Sequence, residues 1–301
     1  MGNRDYYQGN PRVAHNGTVI MQEKNIWRLE AEACSLDARS KELRRRMLEV
    51  MYIAGKGHLP SAFSLTEIAR VLYDDVLRYD PAEPHWPDRD RCIMSKGHAS
   101  LLLYVILQEK GFFPMEELHS FQQFHSRLGG QVSHRLRGVD YSTGSLGHGL
   151  SAGVGMALSA RLQKRSTQVY VLHGDGELGE GAPWEAMLSA AKHSLGNLHL
   201  VVDRNWMQGG SATEDALPLE SLADKLSAFG FLVHECNGHD IQALRTLFLG
   251  SSQSGKPNVY ICHTVKGKGV PLIENNHAWH SRNGLSSQVY GQILQELENY
   301  P

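Results

Sequence analysis

The stretch that decides the fold is QVYVLHGDGELGEGAPWEAMLSAAKHSLGNLHLVVDRNWMQ, residues 168–208. Gln168–His173 is a short apolar run, and it predicts a buried strand that meets a tight turn at Gly174-Asp175-Gly176. The segment from Pro183 to Gly196 has the pattern of a helix, and Asn197–Asp203 predicts a second strand. A strand, a helix and a strand in this order form a right-handed crossover with two parallel strands.

Two polar side chains follow the ends of these strands. Asp175 comes directly after the first strand and Asn205 after the second. Ligands in such sheets lie beyond the carboxyl ends of the strands. Carboxylate and amide oxygens suit Mg²⁺, which takes its remaining ligands from phosphates and water. Gly174 and Gly176 allow backbone amides to approach a diphosphate closely. The pattern therefore predicts a diphosphate bridged to the protein by a metal ion.

Two other interpretations of the same turn stay open. In the first, Gly174 and Gly176 only permit a sharp turn and Asp175 caps the next helix. In the second, Gly174-x-Gly176-x-x-Gly179 is a dinucleotide fingerprint, with Asp203 as the acid that binds a ribose, as in an NAD-dependent oxidoreductase. The second interpretation leaves Asn205 without a role and places the charge of Asp175 beside a pyrophosphate. The metal-bridged diphosphate gives both residues a function.

The rest of the chain alternates between strand and helix patterns. This alternation predicts an α/β fold with a doubly wound, mostly parallel sheet and helices on both faces. Upstream, one long helix with a single break is expected, and its apolar stripe includes Leu43 and Met47. The further strands are Arg91–Met94, Phe231–Glu235 and Asn258–His263, and the helices are Asn25–Ala54, Leu219–Phe229 and Ile241–Leu249.

Three charged or polar segments receive local explanations. The run KELRRR at Lys41–Arg46 is interpreted as a solvated helix face. Ser64-Leu65-Thr66-Glu67 matches a capping box that begins a helix running to about Leu77. A solvated surface accounts for Lys266 and Lys268.

Composition narrows the class of protein. The chain has 301 residues and a net charge of −2, which gives no global attraction for nucleic acid or an anionic membrane. No apolar run approaches the length of a membrane helix. Residues 1–24 are expected to form a polar arm without the features of a secretory signal, and residues 25–301 a single domain. The four cysteines are scattered, as is usual in the reducing cytoplasm.

The central motif resembles one known family. Gly174-Asp175-Gly176-Glu177, followed by Asn205, is similar to the thiamine diphosphate motif. Glu180-Gly181, Trp184-Glu185-Ala186 and Asn197-Leu198 resemble that motif as transketolases carry it. The resemblance implies thiamine diphosphate and Mg²⁺ as cofactors in a thiamine-diphosphate-binding fold of the PP type. It also implies Asp175, Asn205 and the main-chain carbonyl of Met207 as metal ligands, and Gly174, Asp175, Gly176, Glu177 and Asn205 as cofactor-binding residues.

Four other segments are similar to transketolase loops. The resemblance implies that His58, His98 and His280 line the reaction channel, and that Gly144 and Leu146 contact the aminopyrimidine ring. It further implies that Glu180 belongs to a proton relay between paired cofactor sites. The chain departs from the family at Gly130-Gln131-Val132, where transketolases usually have Gly-His-Pro, and at His148, where they commonly have Gln. These departures leave the sugar substrate open.

The resemblance extends over about residues 25–285 and implies the N-terminal subunit of a split transketolase. The pyrimidine-binding domain and its catalytic Glu are then expected on a C-terminal partner subunit, in an α₂β₂ assembly. The implied reaction transfers a two-carbon ketol unit from a ketose to an aldehyde. The small-residue segment Gly149–Ala160 and the apolar face around Trp184 are expected at interfaces. Two alternatives remain, namely a component of a 2-oxoacid or acyloin-forming thiamine enzyme and a non-catalytic partner.

Overall fold

The computed structural model describes residues 26–250 and 255–301, and its centre is one parallel sheet. The register aligns Gly174 with Asp203, which brings the carboxyl ends of two central strands side by side. The predicted α/β fold with a parallel sheet is confirmed, while the predicted arm at residues 1–24 lies outside the described residues. The five strands are β1 (Arg91–Met94), β2 (Val169–Gly174), β3 (Leu198–Arg204), β4 (Leu232–Asn237) and β5 (Asn258–His263), in the spatial order β1-β2-β3-β5-β4.

Helices cover both faces of this sheet. Side chains alternate along each strand, so that Tyr170 and Leu172 belong to one buried cluster and Val169 and Val171 to the other. The helices are α1 (Ile26–Ala33), α2 (Ala38–Ala54), α3 (Leu59–Ser64), α4 (Thr66–Val71), α5 (Ser100–Glu109), α6 (Met115–Leu118), α7 (His148–Leu162), α8 (Gly181–Lys192), α9 (Thr213–Ala216), α10 (Leu222–Ala228), α11 (Ile241–Leu249) and α12 (Ser287–Asn299). The first cluster contains residues of α2, α3, α4, α5, α11 and α12, and the second contains residues of α7, α8 and α10.

The predicted long N-terminal helix is two helices, α1 and α2. Asp37 caps α2 by accepting a hydrogen bond from the amide of Ser40 at 2.8 Å. Gly55 ends α2 with a φ of +72°, a left-handed conformation that suits glycine, and the chain then turns toward His58. The break and the stop therefore place His58 at the beginning of α3.

The interpretation of KELRRR as a solvated face is wrong for Arg44. This side chain is fully buried and forms an ion pair with Glu67, with 2.6 Å between Nη1 and Oε1. Its other contacts reach the carbonyls of Ser40, Phe63 and Lys268. A buried guanidinium with each of its nitrogens hydrogen-bonded is the geometry in which burial of a charge is tolerated.

The predicted capping box at Ser64–Glu67 is also wrong. Ser64 is the last residue of α3, and its hydroxyl donates to Asp203 Oδ2 at 2.6 Å. Glu67 faces inward, where it accepts from Arg44 and lies 2.8 Å from His239 Nδ1. Both residues therefore connect the N-terminal helices to the interior, and α4 begins at Thr66 without a side-chain cap.

Two further features of the sequence can be compared with the structure, namely its apolar segments and its cysteines. Within the described ranges, no helix is long and apolar enough to cross a membrane. The four cysteines are free thiols, and Cys236 and Cys262 lie on neighbouring strands with 3.8 Å between their sulfurs.

Candidate active site

The strand ends of β2 and β3 bring Asp175 and Asn205 into one buried region. The amide of Asp175 donates to the carbonyl of Asp203 at 3.2 Å, which continues the parallel pairing for one more residue. Asp175 is 1% exposed and Asn205 is 5% exposed. The two residues follow adjacent strand ends, as the pattern of the sequence predicted, while their role as ligands stays a prediction.

Asp175 is a buried carboxylate whose charge is only partly compensated. Oδ2 accepts from Arg204 Nη1 at 3.1 Å and from the amide of Trp206 at 2.6 Å, and Oδ1 accepts from the amide of Gly176 at 2.8 Å. Burial raises the pKa of Asp175, and the Arg204 guanidinium opposes this shift without cancelling it. A cation near Oδ1 would favour the ionised carboxylate, so the donor set is compatible with Mg²⁺.

The protein supplies only part of a metal shell at this place. Across residues 26–250 and 255–301, no group of three His, Cys, Asp or Glu side chains is close enough to hold a metal ion. Asn205 Oδ1 accepts from the amide of Met207 at 3.1 Å, which fixes the turn that carries Met207. Such an incomplete oxygen set is typical of Mg²⁺ sites that borrow phosphate oxygens.

Asp203 is not available to bind a ribose. It is fully buried and accepts hydrogen bonds from Ser64, Thr264 and the ammonium of Lys96. The dinucleotide interpretation requires this acid to face a ligand. The contacts of Asp203 therefore remove the main support for an NAD-binding site.

The three histidines that were predicted to line the reaction channel, His58, His98 and His280, form a triangle. Their ring centroids are 5.6 Å apart for His58 and His98, 5.8 Å for His58 and His280, and 5.9 Å for His98 and His280. His98 Nε2 also lies 3.1 Å from the Ser61 hydroxyl. The structure thus brings together residues that are far apart in sequence, as the resemblance implied.

The electrostatic surroundings keep this triangle uncharged at neutral pH. Burial lowers the pKa of all three histidines, and for His280 it does so to about 4. The positive charge of Lys266 lowers the pKa of each ring further. A neutral imidazole has one donor and one acceptor nitrogen, so the triangle can exchange hydrogen bonds with hydroxyl and carbonyl oxygens.

Two buried lysines in this part of the chain were not recognised from the sequence. Lys266 and Lys268 are 3% and 0% exposed, so their interpretation as solvated side chains is wrong. Lys266 Nζ lies 3.2 Å from His280 Nδ1. A signal existed, because Lys266 follows the carboxyl end of β5 as Asp175 follows that of β2.

Glu177 connects the end of β2 to two loops. Oε1 accepts from the Ser95 hydroxyl at 2.5 Å and from the amide of Gly147 at 2.8 Å, and Oε2 accepts from the amide of Gly174 at 3.0 Å. Gly147 has a φ of +86°, and a Cβ at this residue would lie 2.9 Å from Glu180 Cβ. The geometry makes Glu177 a residue that holds the loops of the site in place, so a direct cofactor contact stays a prediction.

The remaining predicted residues lie at the edge of this region. Gly144 is exposed and Leu146 is half-buried, so one side of the loop that carries them faces solvent. Glu180 is exposed at the beginning of α8, and its side chain makes no hydrogen bond or ion pair with the part of the chain that the structure describes. The side chain of Gln131 lies against Gly97. A Cβ added at this glycine would be 2.5 Å from Gln131 Oε1.

Known proteins that are similar to this chain belong to one family. Residues 38–289 match the family described as transketolase, thiamine diphosphate binding domain. The chain is 40% identical over 265 residues to an apulose-4-phosphate transketolase subunit of Phocaeicola vulgatus, covering 87% of this chain and 94% of the relative. It is 35% identical over 272 residues to a 6-deoxy-6-sulfo-D-fructose transketolase subunit of a Clostridium species, covering 90% and 98%.

One solved structure is similar to this chain in both fold and sequence. The chain superimposes on the transketolase of Campylobacter jejuni with a TM-score of 0.81 and 30% identity. The match covers 91% of this chain and 43% of that transketolase, so the chain spans less than half of the longer enzyme. The chain therefore belongs to the transketolase family and contains its thiamine diphosphate binding domain.

Proposed function

We propose that this chain is the N-terminal subunit of a transketolase that transfers a two-carbon ketol unit from a ketose to an aldehyde, with thiamine diphosphate and Mg²⁺. The observation that carries the proposal is the triangle of His58, His98 and His280 close to the buried ammonium of Lys266. Sugar chemistry requires groups that exchange hydrogen bonds and protons with several oxygens, and neutral histidines are suited to this.

The strand ends would hold the cofactor by its charged end. Asp175, Asn205 and the Met207 carbonyl would bind Mg²⁺, and the ammonium groups of Lys96 and Lys266 favour an anionic ligand. Gly174 and Gly176 leave the backbone accessible to a diphosphate. When bound, thiamine diphosphate supplies the carbanion chemistry that breaks and forms the carbon–carbon bond.

The histidines would act on the substrate oxygens. Each ring is neutral at pH 7, so it can donate to a carbonyl oxygen or accept from a hydroxyl group. Their separation of less than 6 Å allows them to contact neighbouring oxygens of one sugar. They would also exclude bulk water and hold protons near the reacting carbons.

The substrate is proposed to be a ketose that carries an anionic group. Two relatives are named for apulose 4-phosphate and 6-deoxy-6-sulfo-D-fructose, which bear a phosphate and a sulfonate. Gln131 is exposed beside the His98 turn, so a neutral amide lies close to the histidines.

The partner is proposed to be a C-terminal subunit with the pyrimidine-binding domain and the catalytic Glu, in an α₂β₂ assembly. Two relatives that this chain covers almost completely are named as transketolase subunits, which supports a second, complementary chain. The neighbouring helices α7 and α8 expose large apolar side chains, since Leu162 is 73% exposed and Leu188 is 60% exposed. In α8, Leu188 is exposed although its neighbour Met187 is buried.

We expect the purified chain to be inactive alone and active with its partner. The chain should be assayed with Mg²⁺, thiamine diphosphate, phosphorylated and sulfonated ketose donors, and an aldehyde acceptor, before and after the partner is added. Calorimetry should show thiamine diphosphate binding that tightens when the partner is present, because each ligand stabilises the state that the other needs. Ketol transfer without a partner would contradict the split arrangement. A complete assembly that binds cofactor but transfers nothing would favour a non-catalytic role.

His280 is expected to act in turnover more than in cofactor binding. Replacing His280 with Ala should lower turnover by about 10²-fold, a magnitude typical of general acid–base groups. Affinity for thiamine diphosphate should remain about unchanged, because the proposed metal site lies at the ends of β2 and β3. His277→Ala is the matched control, since His277 is exposed in the same segment. Normal turnover in His280→Ala would restrict this histidine to a structural role.

A further inference from the structure

We propose that Lys266 is a positioning residue that fixes the tautomer of His280. This inference rests on the proposed function for its consequence in catalysis, but its geometry belongs to the chain alone. Lys266 lies in the loop after β5 and is 3% exposed. Its Nζ points to His280 Nδ1 at a distance of 3.2 Å.

The direction of this hydrogen bond is determined by chemistry. An ammonium group has three donors and no acceptor, so Nδ1 of His280 must accept. Burial lowers the pKa of Lys266 to about 8, which still leaves the amine protonated at neutral pH. The remaining proton of the neutral imidazole is then on Nε2. His280 therefore presents a donor from Nε2.

Lys266 has no carboxylate partner of its own within the described residues. The two nearby carboxylates are already engaged, because Asp203 pairs with Lys96 and Asp175 pairs with Arg204. A buried ammonium is costly unless another group compensates it. The hydrogen bond to His280 Nδ1 partly compensates this buried charge.

The charge of Lys266 acts on the whole triangle. It lowers the pKa of His58, His98 and His280, in addition to the effect of burial. The other charged or titratable groups that act on His280 are His58, Lys96 and His277, and those that act on Lys266 are Lys96, Asp175 and Asp203. Removal of the Lys266 charge is therefore expected to raise the pKa of all three rings.

The chain offers a matched control two residues away. Lys268 is also buried, but its Nζ donates to the carbonyls of Ala31 at 2.8 Å and Glu32 at 3.0 Å. These contacts attach the loop to α1 and involve no histidine of the triangle. Lys268→Met should lower the free energy of unfolding without changing the state of His280.

The first test uses the cofactor-free chain. Long-range proton–nitrogen correlation spectra distinguish protonated from unprotonated ring nitrogens, and His280→Gln identifies the signals of His280 among the 16 histidines. The full chain is expected to show His280 protonated on Nε2 only. Lys266→Met should allow the other tautomer and raise the pKa of His280, while Lys266→Arg should restore both properties. An unchanged tautomer and pKa in Lys266→Met would overturn the proposal.

The second test uses the chain with its partner subunit. Lys266→Met is expected to lower turnover by about 10–100-fold, the range for loss of a group that orients a functional histidine. The acidic limb of the rate profile should move to higher pH, which loss of packing alone would not cause. Lys266→Arg should recover most of the rate, and Lys266→Gln replaces Lys266→Met if that variant does not fold. A wild-type assembly without ketol transfer would contradict the proposed function and leave the spectroscopic result unaffected.

Discussion

Replacing Asp175 with Ala is expected to abolish Mg²⁺-dependent binding of thiamine diphosphate. Loss of an outer partner of a metal ligand already costs about 10–100-fold in affinity, so loss of a ligand should cost at least about 10²-fold. Turnover should fall with it, since the reaction needs the bound cofactor. The fold should remain, because Arg204 keeps its contacts with Glu214 and Glu220 at 2.8 Å each.

Calorimetry of the chain with its partner measures this effect directly. Thiamine diphosphate should be titrated at a fixed, saturating Mg²⁺ concentration, and thermal unfolding should confirm that the variant is folded. Asp215→Ala is a suitable control, since Asp215 is an exposed acid in α9 outside the site. Unchanged cofactor affinity in Asp175→Ala would show that the metal is held elsewhere or is not required.

Replacing Arg44 with Met is expected to destabilise the fold by about 3–5 kcal/mol, as is typical when one partner of a buried ion pair is removed. Arg44 is fully buried and joins α2 to α3, to α4 and to the loop around Lys268. Without it, Glu67 keeps His239 as a polar side-chain partner at 2.8 Å but loses its guanidinium. Urea unfolding monitored by circular dichroism measures the difference.

Acidification should reduce the difference in the free energy of unfolding between Arg44→Met and the wild type. Burial raises the pKa of Glu67, but Arg44 and His239 outweigh it and hold that pKa far below its usual value. This contribution to stability is complete above the unfolded pKa and is lost as the pH falls through the folded pKa. In Arg44→Met the pKa of Glu67 rises. On acidification Glu67 is therefore protonated at a higher pH in the variant than in the wild type, and the variant recovers part of its lost free energy of unfolding.

Arg45→Met provides the control for Arg44. Arg45 is 36% exposed and pairs with Glu42 and Glu298 at the surface, where such pairs are worth about 0–1 kcal/mol. A large loss of stability in Arg45→Met, or a small one in Arg44→Met, would contradict this assignment of the KELRRR run.

The sequence was sufficient to predict the sheet and the position of the main candidate site residues, because these depend on local patterns. Asp175 and Asn205 follow apolar runs, and parallel pairing then brings strand ends together without further information. The loops of His58, His98 and His280 were recognised through short motifs. These patterns can be interpreted locally, because they do not depend on contacts with distant parts of the chain.

The buried charges could not be predicted in the same way. Arg44 and Lys268 lie in segments whose local composition is that of a solvated surface. Their burial depends on partners that the sequence does not place nearby, since Arg44 contacts Glu67 and Lys268, which are 23 and 224 residues away. For Ser64 the local motif favoured a helix cap, and a contact with Asp203, 139 residues away, decided its role.

The contact between Arg44 and Lys268 has a consequence for biosynthesis. The guanidinium belongs to an early helix, but the carbonyl that accepts its Nε–H is made 224 residues later. Burying Arg44 before that carbonyl is present would leave one of its donors without a partner, so we expect the group to stay hydrated while the ribosome extends the chain. Contacts of such long range also slow folding, because the intervening loop must close first. The N-terminal helices therefore cannot reach their final packing until translation has passed residue 268.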